Sequence, residues 1–461
     1  MLAKAAPFLA RRALIGVLTA GLLAGSALAS TAGAETLTVW WNKGFYPAED
    51  EAFDQVVAEW EKATGNKVNL SYYSTGDIPA KIISAITTGQ VPDIAYADLN
   101  DFAIVPQQAW KGALEDVSDV VKPVENKFTP TALKGANLYN DQEKKRSYYA
   151  VPLKQQALHN FIWKPMIEEA GYSEKDIPLD NWDKYWAFFG DAQKKLRAKR
   201  QRVFALGFPM STVDSDNYYT FNQLALAYGA RFVKPDGTLN LDDPKAKEGA
   251  IKAITFLTQA YADGLVPQGA INWGDPDNNA AFFSKQIIMT SNASVSIPVS
   301  KSDDEKTYHE IITQPQPTGP DGQPVSSLVA VKIAVIPKGA PQVKLAKDFL
   351  SFLIEPERLD SYLRAARGRW LPVMPELIKS DPFWTDPTNP HIPVAVKQEL
   401  EGPTEPWPFV YNPAYSQVNA EQVWGKAIGD VITNGLTPEK ATEKAFARIR
   451  EIFAQYQIAQ N

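Results

Sequence analysis

The sequence predicts an α/β fold in which parallel strands alternate with helices, and three observations carry that expectation. Between residues 36 and 96, β-rich runs and helical patterns follow one another as strand–helix–strand–helix–strand, the order expected of βαβ units on a parallel sheet. The 461 residues are 45% hydrophobic and 22% charged, an ordinary globular balance, and at roughly 100–200 residues per domain they suffice for two or three domains with cores of their own. No internal repeat or low-complexity tail interrupts the chain.

Residues 1–34 stand apart. They carry Lys4, Arg11 and Arg12, no acid, an apolar run from Ala13 to Ala24, and the small-residue site Ala32-Gly33-Ala34 before Glu35. These are the parts of a cleaved secretory signal peptide. A membrane anchor would need about 20 strongly apolar residues, and this segment dilutes into Gly, Ser, Thr and Ala. Arg11-Arg12 leaves the Sec and twin-arginine routes both open. Cleavage removes three basic groups and shifts the net charge from −6 to −9, so the expected product is an exported, acidic, soluble protein, with the periplasm the best fit.

The same composition excludes several function classes. An acidic balance opposes a nucleic-acid footprint. The basic stretch Lys194–Arg202 reads as the solvated end of a helix, favoured by the macrodipole. With no cysteine and only three scattered histidines, His159, His309 and His391, thiolate or histidine-cluster metal sites are not expected, and no cofactor is. There is no GxSxG elbow, SxxK or P-loop.

In chain order, Thr36-Leu37-Thr38-Val39-Trp40-Trp41 reads as a strand. Phe53, Val56, Val57 and Trp60 then recur at helical spacing, with acids in the first turn and Gly65 as the stop. Val68, Leu70 and Tyr72 alternate as a strand, Asp77 reads as the cap of a helix ending at Gly89, and Val91–Tyr96 makes the third strand. Asp243-Pro244 opens a helix that stops before Gly264, and Thr437-Pro438 opens a terminal helix. Residues 372–413 are rich in proline, so irregular surface backbone is expected there, placed to frame a cleft mouth.

In sheets of this kind ligands bind beyond the carboxyl ends of the strands, which points to Trp40-Trp41-Asn42 and Tyr96-Ala97-Asp98. Adjacent tryptophans in an extended segment face opposite ways, so at least one of the pair should face a cleft or solvent, although core filling is the plainer role of either alone.

Several segments together resemble the solute-binding proteins of ABC importers, in particular the sugar-binding family related to maltose-binding protein. They are Thr87-Thr88-Gly89-Gln90-Val91-Pro92-Asp93-Ile94, Tyr149-Ala150-Val151-Pro152, His159-Asn160-Phe161-Ile162-Trp163 followed by Glu168-Glu169-Ala170-Gly171-Tyr172, Asn181-Trp182-Asp183, Val335-Ile336-Pro337-Lys338-Gly339, and Ala346–Leu353. The resemblance runs in order over most of the mature chain. Ser291-Asn292-Ala293-Ser294 departs from it, lacking the family's "G-x-W".

That resemblance implies a two-lobed type II binding-protein fold with a ligand cleft between lobes. Lobe one would hold 35–151 and 310–354, and lobe two 152–309 and 355–461. Hinges are expected near Val151-Pro152 and Gln314-Pro315. It also implies a carbohydrate ligand, delivery to permease subunits in the inner membrane, no catalysis, and a monomer.

A neutral sugar asks for carboxylates and amides toward its hydroxyls and aromatic rings against its C–H face. Pairings of that kind nominate Trp40, Trp41, Asn42, Asp98, Asn160, Trp273, Asp275 and Trp407, and Asn292, in the segment that departs from the family, is a further candidate. Arg369 and Trp370 follow from a resemblance to the family's turn near the ligand. Arg367 and Arg369 leave an acidic ligand open, a uronate or glycerol phosphate, because guanidinium forks match such groups. Polyamine, peptide or iron carriage and an exported two-carboxylate glycosidase are the remaining rivals.

Overall fold

Alternating burial shapes the first strand, β1 (Thr36–Asn42), in which Leu37, Val39 and Trp41 are buried. The structure, a computed structural model, describes residues 34–213 and 215–458, so the signal-peptide reading falls, but for Ala34, outside the described residues. Helix Pro47–Thr64 follows β1. It buries Phe53, Val56, Val57 and Trp60 as their spacing predicts, and Gly65 ends it at φ 75°. β2 (Lys67–Tyr73) pairs parallel to β1. Helix Ile78–Thr88 returns the chain to β3 (Ile94–Tyr96), parallel to the other side of β1. Asp77 stands at the start of that helix, but its carboxylate accepts from Ser74 Oγ at 2.6 Å and makes no cap bond.

Beyond β3 the pairing becomes mixed. β4 (Asn137–Asn140) and β5 (Lys145–Tyr148) form a separate hairpin. β6 (Val151–Gln156) completes the first sheet, and β7 (His159–Trp163) begins the second. β8 (Phe204–Leu206), β9 (Ile287–Asn292) and β10 (Ile311–Gln314) join β7 in the order β10-β7-β9-β8. β11 (Ser327–Val335) re-enters the first sheet, antiparallel to both β3 and β6. β12 (Leu371–Pro372) and β13 (Thr404–Pro406) close it, giving β12-β6-β11-β3-β1-β2 with β13 beside β11.

The chain therefore passes between sheets twice. The outward passage is only Ala157-Leu158, and the return runs through 315–326. The first lies beyond the expected Val151-Pro152, because β6 still belongs to the first sheet. From Thr36 onward both sheets share one continuous apolar core.

The caps of the later helices follow the sequence. Asp243 accepts from Lys245 N at 2.9 Å, and Thr437 from Lys440 N at 3.3 Å. The proline-rich stretch differs from expectation. It folds into short helical turns that bury Trp384, His391, Glu399 and Trp407, rather than lying only on the surface. Among the described residues, no helix is long and apolar enough to cross a membrane.

Candidate ligand-binding site

The strand ends converge. Phe45 follows β1, Asp98 follows β3 and Asn292 is the last residue of β9, and all three line one cavity of about 260 Å³. Gln156 of β6 and Lys332 of β11 reach it from the first sheet, and Trp370 from just before β12. Tyr219 and Asp216, on helix Ser215–Ala227, close the far wall with Asp275 and Phe283. The cavity is thus bounded by residues from both sheets and their loops, beyond the carboxyl ends of β1, β3 and β9, where an open α/β sheet puts its ligand.

Of the residues nominated from sequence, Asp98, Asp275, Asn292, Arg369 and Trp370 meet on this lining. Trp40, Trp41, Asn42, Asn160, Trp273 and Trp407 are not on it. Trp41 stacks on Phe53 with ring centroids 3.9 Å apart and donates from Nε1 to Tyr362 at 3.1 Å, so it is a core residue. Trp40, half-buried, packs edge-on against Tyr73 with the Lys81 ammonium 4.7 Å from its ring. Trp407 is buried against Tyr218. Asn160 is fully buried, where it accepts from Ser291 Oγ at 2.6 Å.

Trp273 is partly buried against the core. Asn42 supports the site from behind: its side-chain oxygen accepts from Asp98 N at 3.3 Å, and its amide donates at 3.1 Å to Thr75, which does line the cavity. Arg367 faces elsewhere, forking to Asp303 at 2.8 and 2.9 Å.

Sequence reasoning missed Phe45, Phe102, Tyr219, Phe283, Gln156, Lys332 and Asp216. Only Lys332 left a local signal, a lone charge inside the apolar run Val329–Val335.

The floor is made of buried charge pairs. Lys332 Nζ lies 3.2 Å from both oxygens of Asp101, and Lys154 Nζ 3.3 Å from Asp98. Tyr96 also donates to Asp98 at 2.6 Å. Burial opposes the charge on Asp98, but Lys154 and Arg369 prevail and hold its carboxyl below the usual range. Burial raises Asp101 despite Lys332, and burial lowers Lys154.

On the far wall, burial and the charge of Asp275 push Asp216 up to about 7, while Asn278 donates to it at 2.8 Å. Asp275 accepts from both the backbone N–H and the hydroxyl of Ser215, at 2.6 and 2.9 Å. The cavity therefore offers carboxylates and amides for hydroxyl groups and the rings of Phe45, Tyr219, Phe283 and Trp370 for apolar faces. Among the described residues, no group of three His, Asp or Glu side chains is placed to hold a metal.

Comparison with known proteins agrees with this architecture. A family profile of bacterial extracellular solute-binding proteins matches residues 55–391. The chain is 24% identical over 333 residues to the arabinooligosaccharide-binding protein of Bacillus subtilis, covering 69% of each. It is 23% identical over 351 residues to that of Halalkalibacterium halodurans, covering 73% of this chain and 72% of that protein.

Among solved structures, an ABC-transporter solute-binding protein of Thermotoga lettingae bound with α-D-tagatose superposes with a TM-score of 0.72. It is 20% identical, and the match covers 91% of this chain and 100% of that one. A sugar transporter protein of Arthrobacter chlorophenolicus with bound laminaribiose gives a TM-score of 0.69 at 16% identity, covering 90% and 99%. At such identities the likeness is one of fold.

Proposed function

Because the chain belongs to the bacterial extracellular solute-binding proteins, we propose that it is the solute-binding component of an ABC importer and carries a sugar or oligosaccharide in the cavity between its two sheets. The observation that carries this reading is the lining itself. Aromatic faces and hydroxyl-binding groups from both sheets and the loops and helices beside them surround one space, as a saccharide requires. Relatives that bind arabinooligosaccharides, and folds that hold tagatose or laminaribiose, support it.

The two sheets would serve as the cores of two lobes, with Ala157-Leu158 and the 315–326 return as hinges. Ligand favours a closed form only by touching both sides at once, and Trp370 and Asp275 stand on opposite sides. Occupancy would be sensed by permease subunits in the inner membrane. In this reading residues 1–34 direct export and are removed, and the mature protein works in the periplasm as a monomer and binds without catalysis.

Mature protein incubated with a panel of mono- and oligosaccharides tests the reading. Binding of one ligand per chain should raise the melting temperature by mass action, and chromatography should find the sugar intact. Sustained release of product would overturn it in favour of a hydrolase.

A further inference from the structure

We propose that the ligand is a saccharide bearing one singly charged oxyacid group, a carboxylate or sulfate, held at Arg369 and Trp370. This deepens the sugar-binding reading and rests on it. The indole of Trp370 is ringed by three cations: Lys154 Nζ at 4.3 Å, Arg369 Cζ at 4.5 Å and Lys332 Nζ at 5.8 Å from its centroid. Two of them have a carboxylate each, Asp98 for Lys154 and Asp101 for Lys332. The third does not. The Arg369 guanidinium lies against the rings of Trp370 and Phe45, the latter at 4.7 Å, and its side chain makes no hydrogen bond to any described residue. Its Nε is buried without a partner, and so is Nε1 of Trp370, a residue only 3% exposed.

Both groups are obligate donors, and both residues line the cavity. A buried donor is stable only when an acceptor meets it, and no acceptor among the described residues does so here. A neutral hydroxyl would satisfy one of these donors but leave the guanidinium without an ion-pair partner. An oxyacid group satisfies donors and charge together, through the planar fork that arginine presents.

The far wall has the opposite character. Asp275, with the raised Asp216 beside it, offers carboxyl oxygens that suit sugar hydroxyls and disfavours an anion, so the ligand's charge is directed to the Arg369 side. Arg369 is the cation of this cluster without an ion-pair partner among the described residues, and the charges of Asp98 and Glu49 also reach the cluster, so one negative charge suits it. A phosphate monoester, at close to two negative charges at neutral pH, brings a second charge against those carboxylates, and an amine offers Arg369 no acceptor.

Calorimetry on the mature chain tests this with matched ligands: glucose, glucuronate, glucose 6-sulfate and glucose 6-phosphate, galactose and galacturonate, and disaccharides of each pair. The proposal predicts that the uronate or sulfate binds at least tenfold tighter than its neutral counterpart, and tighter than the phosphate. R369Q, with its fold checked by circular dichroism and melting, should bring the acid-to-neutral ratio close to one, and R369K should keep part of it. Neutral sugars binding as well as their acids, a phosphate binding tightest, or a preference that survives R369Q would each overturn the proposal while leaving the sugar-binding reading intact. Failure of every saccharide, neutral or acidic, would instead remove the sugar-binding reading and this proposal with it.

Discussion

Glu399 accepts the backbone N–H of Ala157 at 2.9 Å, and Ala157 is half of the two-residue passage from the first sheet to the second. The next side chain back, Gln398, donates to the carbonyl of Leu158 at 2.9 Å, and Gln316 from the return segment donates to the same carbonyl at 3.1 Å. The first N–H and the last C=O of a buried passage are thereby satisfied, as buried backbone requires. They are held by side chains from a single π-helical turn, Lys397–Glu401, and from the second crossing.

Replacing Glu399 should reveal its protonation. Burial pushes it up to about 8, although Ala157 and Gln155 donate to it. A carboxyl raised in the folded state adds stability that is fully present below its ordinary value of 4.5 and lost as pH rises through about 8. His159, whose Nε2 lies 3.8 Å from Glu399, is lowered by burial to about 4 and works the other way, its contribution present above 6.5 and lost as pH falls through 4. Glu399→Gln should therefore flatten the fall in stability between pH 6.5 and 8, on the order of 1–3 kcal/mol. Urea melts across that range check it; a parent-like slope would place the titrating group elsewhere.

Trp41 and Trp370 should separate stability from binding. Trp41→Ala empties a stacked core position and should cost about 3–5 kcal/mol of stability, read from denaturant unfolding. Trp370→Ala should instead weaken saccharide binding by about 1–3 kcal/mol, the scale of one buried side chain. Intrinsic fluorescence should accordingly lose its ligand response in Trp370→Ala and keep it in Trp40→Ala.

Lys332 and Asp101 form a buried pair, so breaking it leaves one charge stranded. Lys332→Met should destabilise by about 3–5 kcal/mol, and Lys332→Met with Asp101→Leu should recover much of that loss. A double-mutant cycle of unfolding free energies measures the coupling. Additive losses would mean that the two charges are not interacting.

The fold was legible where the pattern is local. The helix around Phe53 and Trp60, and the stop at Gly65, follow from spacing and a left-handed glycine. The site was only half legible, because period-two alternation says that Trp40 and Trp41 face opposite ways but not which side holds the cavity. Trp41 points into the core beneath helix Pro47–Thr64, while the indole at the cavity is Trp370, far along the chain. Asp101 and Lys332 are 231 residues apart in sequence, and no local pattern joins them. The buried turn at Glu399 was hidden for a different reason: proline density predicts irregular backbone but does not say what that backbone packs against.

Groups from both sides of one cavity should hold the same sugar. Titration calorimetry of the parent, Trp370→Ala and Asp275→Asn with a saccharide that binds the parent tests it most directly. One site per chain is expected, with affinity lowered about tenfold to hundredfold in each variant, the range of a lost charged hydrogen bond or ring contact. Parent-like affinity in both variants, with their melting temperatures unchanged, would contradict it and put the sugar elsewhere on the protein.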